Sequence, residues 1–162
     1  GYALRSPVSV EGAGLEELPA SKLLGVEASC SEELSEEWFD LSGLRGRFRG
    51  AEVPVYRALL GRLAGRAGFV LVRVDGRAAA AGLGVLAPPW AGIFSMLTLP
   101  EQRGRRLGEA VLGSLAGWAR ERAASRLYLQ VETGNVAARR LYARVGFTPR
   151  YTYHYRFQPR PR

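Results

Sequence analysis

The order of strand and helix patterns after residue 69 constrains the fold of this chain more than any other feature. Asp75-Gly76 is a strong hairpin signal between two of the apolar runs that predict strands. These runs lie at residues 69–74, 77–87 and 90–99. Apolar residues then recur every three or four positions between residues 104 and 124, which predicts an amphipathic helix of about five turns.

Shorter patterns complete both ends of the chain. At the C-terminal end they predict a strand, a short helix closed by Gly146 and a last strand, at residues 126–132, 135–145 and 147–157. At the N-terminal end they predict a strand at residues 2–10, a helix from Ser29, a loop at residues 41–52 and a second helix at residues 53–66. The first helix is predicted because Ser29 to Glu32 match a capping box ahead of Leu34 and Trp38.

This element order, βααβββαβαβ, predicts the fold class. Strands and helices that alternate irregularly in one chain of 162 residues are typical of a single α+β layered domain, with a mixed central sheet flanked by helices. We therefore expect one domain over residues 1–162.

Composition excludes several classes of site. The one cysteine, Cys30, cannot form an internal disulfide, and together with the one histidine, His154, it cannot make a Cys/His zinc site. We therefore expect no metal. No apolar run approaches the roughly 20 residues that span a bilayer, and no signal peptide is recognisable, so a cytoplasmic protein without a membrane partner is expected.

Charge is distributed unevenly along the chain. Residues 1–43 hold nine acidic and two basic residues, whereas the remainder holds six acidic and 21 basic ones. A basic segment of this kind favours a polyanionic partner: a nucleic acid, an anionic membrane or a phosphorylated cofactor. A general preference for arginine explains the excess equally well, since only one of the 23 basic residues is lysine.

Two glycine-rich segments resemble nucleotide-binding motifs but lack their context. The sequence GLGVLA from Gly82 is followed by Pro88-Pro89 and a strand, not by the helix that a dinucleotide fingerprint requires. Its glycines are better explained by a bulge or a close backbone contact. Residues 104–108 lack the Lys-Ser/Thr pair of a P-loop.

The junction between the strand ending near Leu99 and the long helix is a candidate anion site. Free backbone N–H groups and the positive end of the helix dipole meet there, and Arg103, Arg105 and Arg106 add charge. Such a junction suits a pyrophosphate.

Two motifs in this region resemble those of the GNAT superfamily of acetyl-CoA-dependent N-acetyltransferases. The signature Q/R-x-x-G-x-G/A falls on residues 103–108, with Arg106 in place of its first glycine. The pattern N-x-x-A-x-x-L-Y-x-x-x-G-F is matched at every fixed position, by Asn135, Ala138, Leu141, Tyr142, Gly146 and Phe147. The resemblance implies that residues 69–157 form an acetyl-CoA-binding core and that residues 1–68, a strand and two helices, form the acceptor side.

The resemblance also implies the contacts of acetyl-CoA, which would serve as co-substrate. The strand residues Leu97, Thr98 and Leu99 would bind the pantetheine arm and the developing oxyanion. The pyrophosphate would lie on Arg103, Gly104, Arg105, Arg106, Leu107 and Gly108. Asn135 would be a further contact, as well as a helix N-cap.

The catalytic residues match the family's pattern at one position and depart from it at another. Tyr142 lies where the family often has a tyrosine that protonates the leaving CoA thiolate. Gln130 stands where related enzymes often have a glutamate, so Glu132, two residues further on the same strand face, is the first candidate for the general base. His154 on the last strand is the second candidate.

Three functions are thus compatible with the sequence. The first is acetyl transfer to a small-molecule or peptide amine, by direct attack in a ternary complex. The second is a catalytically weak acyl-CoA-binding module of the same fold. The third is an Arg-rich nucleic-acid-binding domain, which the lack of a recognised nucleic-acid-binding motif disfavours. A homodimer or a sister domain is a further partner to consider.

Overall fold

The computed structural model describes residues 3–18, 23–44 and 48–157, which form a seven-stranded sheet and four α-helices. The strands are β1 (Ala3–Gly14), β2 (Val26–Ser31), β3 (Ala67–Val74), β4 (Arg77–Ala87), β5 (Trp90–Thr98), β6 (Arg126–Glu132) and β7 (Thr148–Phe157). The helices are α1 (Glu36–Phe39), α2 (Glu52–Gly61), α3 (Leu107–Arg120) and α4 (Val136–Arg144).

The sheet is mixed, in the order β2-β3-β4-β5-β6-β1-β7. Only the β5–β6 pair is parallel; the other neighbours run antiparallel within the described strands. The first strand of the chain therefore lies in the C-terminal half of the sheet, paired with β6 on one side and β7 on the other. The predicted α+β class with a mixed sheet is confirmed. No helix in the described part of the chain has the length and apolar character to cross a membrane.

The prediction of a helix starting at Ser29 was wrong. Val26–Ser31 is an edge strand that pairs with β3, with Cys30 opposite Val70. The N-cap of helix α1 is Ser35, six residues after Ser29, and its Oγ accepts a hydrogen bond from the Trp38 N–H at 3.2 Å. Pairing with a neighbouring strand thus outweighed a local capping pattern, which is a weak signal because it involves only two residues.

Other element boundaries also differ from the sequence-based expectation. Helix α2 ends at Gly61, because residues 62–66 form turns before β3, and Leu59 is 55% exposed rather than buried beside Leu60. The predicted loop at residues 41–52 contains a π-helical turn at residues 40–44, and residues 45–47 lie outside the described part. Helix α3 spans 14 residues instead of the predicted five turns.

Two apolar clusters pack on opposite faces of the sheet. Helix α3 packs on one face, and α1 and α2 cover β3 and β4 on the other, where Trp38 meets Phe69 edge to face. The glycines of β4 permit the α3 contact, since a Cβ on Gly84 would lie 2.6 Å from the Trp118 ring and one on Gly82 would clash with Val111. Close backbone contact is thus confirmed as the reason for this glycine-rich sequence.

The two parallel strands separate toward their C-terminal ends. Strands β5 and β6 pair from Trp90 and Arg126 only as far as Ile93 and Leu129. A bulge in β5 follows, with Ser95 at φ 48°, and the pairing of β5 with β4 resumes at Leu97. The sheet therefore opens between the two strands, next to the start of α3.

Candidate active site

A groove of about 530 Å³ lies where the end of β5 meets the starts of α3 and α4. Most of the residues predicted to contact acetyl-CoA line it: Leu97, Thr98, Arg103, Gly104, Arg106, Leu107, Gly108 and Asn135. Tyr142 lines it as well. The structure thus brings the two sequence motifs together around one concave surface.

Two predicted residues do not line this groove. The side chain of Leu99 is buried with α1 and α2 on the other face of the sheet, and its N–H donates to the Ala79 carbonyl at 2.9 Å. Arg105 is exposed, and its guanidinium donates to the side chain of Gln102 at 2.8 Å. Of the three strand residues predicted to contact acetyl-CoA, Leu97 and Thr98 therefore line the groove. Of the six predicted residues at 103–108, all except Arg105 line it.

The turn before α3 presents a run of free backbone donors. Within the described part of the chain, the N–H groups of residues 104–108 donate to no backbone carbonyl, whereas Arg103 and Glu109 on either side do. These donors lie at the positive end of a 14-residue helix. Five consecutive amides in this setting can bind an anion with two adjacent phosphates.

Arg106, which replaces the glycine of the signature, keeps the backbone conformation that favours glycine. Its φ is 58°, a left-handed value that costs energy for a residue with a Cβ. Its side chain folds over the first turn, and Nε lies 3.0 Å from both carboxylate oxygens of Glu109. This carboxylate raises the pKa of the guanidinium. The side chain is thus held beside the turn while the peptide keeps the shape of the signature.

Two residues at this groove, Glu109 and Arg144, were not predicted from the sequence. Glu109 is only 5% exposed and also accepts a hydrogen bond from Arg144 at 2.9 Å, so that one buried carboxylate holds two guanidinium groups. Both partners line the groove. The spacing of Arg106 and Glu109, three residues apart at a helix start, is a recognisable signal for the first pair. The contact with Arg144 depends on the packing of α4 and leaves no local signal.

Two glycines of the turn have different structural roles. Gly104 has φ 79°, and a Cβ there would meet nothing within 4 Å, so its backbone conformation is what requires glycine. At Gly108 a Cβ would lie 2.6 Å from the Leu141 side chain. Gly108 therefore lets α3 and α4 approach closely beside the groove.

Tyr142 is buried at the base of the groove, with 6% of its surface exposed. Burial, with a smaller effect from the charge of Glu11, raises the pKa of this phenol to about 12. Glu11 itself is 2% exposed and lies 3.6 Å from the guanidinium of Arg139. The phenol therefore stays protonated at any physiological pH and is available as a hydrogen-bond donor.

Asn135 has the predicted capping role. Its Oδ1 accepts a hydrogen bond from the Ala138 N–H at 3.1 Å, which fixes the start of α4 at the edge of the groove.

The two candidate bases point to opposite faces of the sheet. Glu132 and Gln130 alternate with Val131, which packs toward α3, so both point to the other face. Tyr153 lies on that face too and donates to Gln130 at 2.5 Å. We call Gln130, Glu132, Tyr153 and Tyr155 the open face. His154, the neighbour of Tyr153, points away from it.

The contacts of these residues differ as well. Nε2 of His154 accepts a hydrogen bond from Arg156 at 3.3 Å, and neither His154 nor Glu132 lines the groove. A hydrogen bond between the hydroxyls of Tyr153 and Tyr155, 3.3 Å apart, raises the pKa of the Tyr153 phenol to about 12. No group of three His, Cys, Asp or Glu side chains among the described residues is arranged to hold a metal ion.

Comparison with protein families gives one clear match. Residues 27–147, well over half of the chain, match the model of the Acetyltransferase (GNAT) family. A curated relative, the uncharacterized N-acetyltransferase YobR of Bacillus subtilis, is 36% identical over 69 residues, which are 43% of this chain and 28% of that protein.

Solved structures share the fold at low sequence identity. A GCN5-related N-acetyltransferase from Kribbella flavida superimposes with a TM-score of 0.69 at 21% identity, over 94% of this chain and 58% of its own. A tandem GNAT protein from the clavulanic acid biosynthesis pathway gives 0.76 at 15% identity, over 96% of this chain and 55% of its own. The chain thus spans less than two thirds of each of these relatives.

Proposed function

Because this chain belongs to the GNAT family of acetyltransferases, we propose that it transfers the acetyl group of acetyl-CoA to a primary amine by direct attack in a ternary complex. The observation that carries this proposal is the run of free N–H groups at residues 104–108, beside a sheet that opens between β5 and β6. The first feature suits a pyrophosphate, and the second gives a linear substrate arm a strand edge to bind.

The residues of the groove fit acetyl-CoA along its length. The pyrophosphate would accept hydrogen bonds from the amides of residues 104–108, with Arg103, Arg106 and Arg144 supplying positive charge. The pantetheine arm would then follow the edge of β5 that no longer pairs with β6, at Leu97 and Thr98. The thioester would thus lie in the opening of the sheet.

Acetyl transfer requires a neutral amine. Primary amines are largely protonated at neutral pH, so a base must first accept one proton. The lone pair freed on the nitrogen then attacks the thioester carbonyl. The carbonyl oxygen becomes an oxyanion, which a backbone N–H of β5 would stabilise. When the intermediate collapses, the C–S bond breaks, the attacking nitrogen gives up its second proton to water, and the thiolate of CoA takes up a proton.

Tyr142 would act on the leaving sulfur. A phenol with a pKa of about 12 is a weaker acid than an ordinary thiol, whose pKa is about 8.5, so outright proton transfer from it is uphill in the ground state. Its main contribution would be a hydrogen bond to the sulfur as charge develops, with the proton passing over as the C–S bond breaks. Burial of the ring fixes the position of this donor.

Glu132 is the better candidate for the base. It points to the open face, beside Gln130 and Tyr153, whereas His154 points to the opposite face and already accepts a hydrogen bond from Arg156. Glu132 lies at the end of β6, beyond the last pair with β5, and would accept the amine proton through a water molecule.

A second function, acyl-CoA binding with little turnover, is favoured by one observation. Gln130 stands where related enzymes often have a glutamate, and its side-chain carboxamide is not a useful base. The oxygen of this carboxamide already accepts a hydrogen bond from Tyr153.

One pair of measurements separates the two functions. Calorimetry with acetyl-CoA at low salt tests binding, and CoA release with a panel of primary amines, small and peptidic, tests transfer. We expect both to be positive. Binding without release for any amine would support the binding module, and an absence of binding would contradict both.

A further inference from the structure

A second cavity, which we call the far cavity, lies at the opposite end of the β5–β6 pair from the groove. It has a volume of about 670 Å³ and shares no lining residue with the groove. Trp90 and Arg126, the first pair in the β5–β6 register, line it, whereas the groove begins at Met96. The two sites are therefore separated along the strands.

The far cavity lies on the sheet face opposite α3. Tyr128, which lines it, alternates with Leu127 and Leu129, and these two pack into the α3 cluster. Gly12 is directly opposite Tyr128 in the β1–β6 register and therefore points the same way. The cluster around α1 and α2 includes no described residue of β1, β6 or β7, so these helices do not fill the cavity.

A β-bulge directs an arginine into the far cavity. In the β1–β7 register Val10 faces Tyr151 and Glu11 faces Pro149, which leaves Arg150 as an extra residue. Arg150 and Tyr151 consequently both line the cavity, although neighbours in a regular strand point to opposite faces. The Arg150 side chain lies across Gly12, where a Cβ would be 3.2 Å from its Nε.

The walls of the far cavity are aromatic, and its floor is β1 backbone over which two charged side chains lie. Trp90 and Tyr128 pack edge to face at 6.3 Å, and Tyr151, 63% exposed, faces the same space. Gly12 and Gly14 contribute no side chain to the β1 floor, and the side chains of Arg150 and Glu16 lie over them, since a Cβ on Gly14 would be 2.6 Å from the Glu16 carboxylate. The ring of a ligand would therefore pack against the aromatic walls, with a cation and an anion at the floor to meet its charged groups.

Charges of both signs surround this aromatic space. Glu11 also lines the cavity, but its carboxylate lies 3.6 Å from the guanidinium of Arg139 and is balanced by it. Of the remaining charged residues, Arg126 and Arg150 supply two positive charges, and Glu16 and Glu17 supply two negative ones. Within the described residues none of the four forms an ion pair, although Arg126 stacks over the Trp90 ring at 5.4 Å. The complementary ligand is therefore a zwitterion with no net charge.

We propose that the far cavity binds a small aromatic zwitterion of the aromatic amino acid class. The carboxylate of the ligand pairs with Arg150, its ammonium group with Glu16 or Glu17, and its ring lies among Trp90, Tyr128 and Tyr151. This site does not depend on the acetyl-transfer proposal, because it shares no residue with the groove.

A titration with three probes tests this inference. L-Phenylalanine carries both charges, 3-phenylpropionate lacks the ammonium group, and phenethylamine lacks the carboxylate. We expect L-phenylalanine to bind at millimolar concentration and to shift the amide NMR signals of Gly12 and Gly14. The dissociation constant of each analogue should be at least about fivefold higher. Saturating acetyl-CoA should leave this binding unchanged.

Variants of strand β7 make the test specific to the site. Arg150→Ala should weaken binding of L-phenylalanine and 3-phenylpropionate about tenfold while leaving that of phenethylamine unchanged, since only the carboxylate contact is lost. Arg156→Ala removes the same charge from the same strand outside the cavity and should have no effect. No binding of any probe, equal effects of the two variants, or displacement by acetyl-CoA would each overturn the inference.

Discussion

The groove and the open face, two surfaces on which the proposed reaction depends, are built in different ways. The groove rests on backbone donors from one turn, residues 104–108, and on two glycines that shape it. The open face consists of side chains from β6 and β7, two strands that are not paired with each other because β1 lies between them in the sheet. A backbone site tolerates changes of side chain, whereas a side-chain site changes its ligand with each substitution. The groove is therefore expected to set binding, and the open face to set the choice of amine and the proton transfer.

The largest effect is expected at Tyr142, where a groove side chain would act in chemistry rather than binding. Tyr142→Phe removes only the hydroxyl and should lower the rate constant for transfer about a hundredfold, with the dissociation constant of acetyl-CoA unchanged. Single-turnover kinetics and calorimetry measure the two quantities. An unchanged rate constant would remove Tyr142 from the mechanism.

The next largest effect is expected at Glu132, and it distinguishes a base on the open face from one on the opposite face of the sheet. Glu132→Gln should lower the rate constant about tenfold and alter the acidic limb of its pH profile, because water replaces the base only in part. His154→Gln is the matched control and should leave the profile in place, since His154 points to the other face. If only the histidine variant moves the profile, the assignment to Glu132 is wrong.

A substitution in the turn tests whether the groove depends on backbone shape. Gly104→Val places a β-branched residue at φ 79° and should weaken acetyl-CoA binding about tenfold, because the turn must change conformation. Gly134→Val is the control, since Gly134 has neither a left-handed φ nor a neighbour within 4 Å. Equal affinities of the two variants would show that the turn does not hold the phosphates.

The buried phenol also predicts how stability depends on pH. The folded-state pKa of Tyr142, about 12, lies above the ordinary value of 10, so its contribution is complete below pH 10 and is lost as pH rises to 12. The loss is roughly 3 kcal/mol of unfolding free energy. In Tyr142→Phe the decline over this range should be smaller by that amount. Urea unfolding at several pH values measures it, and parallel declines in both proteins would contradict the burial argument.

The sequence was sufficient where a motif lies within one local segment. The turn at residues 103–108 and the cap at Asn135 were predicted because their donors and spacing are contiguous in the chain, and the long helix because its apolar period is unbroken. Strand β2 was missed because its residues alternate weakly and only pairing with β3 makes them a strand. The contact of Arg144 with Glu109 and the bulge at Arg150 depend on tertiary packing, so no local pattern announces them.

An NMR titration of the isotope-labelled protein tests directly whether the amides of residues 104–108 bind the pyrophosphate of acetyl-CoA. We predict that acetyl-CoA shifts the amide signals of Gly104 to Gly108 more than any others and that inorganic pyrophosphate at high concentration reproduces part of these shifts. Binding of acetyl-CoA that leaves these five signals unmoved would contradict the account, as would an absence of binding at low salt.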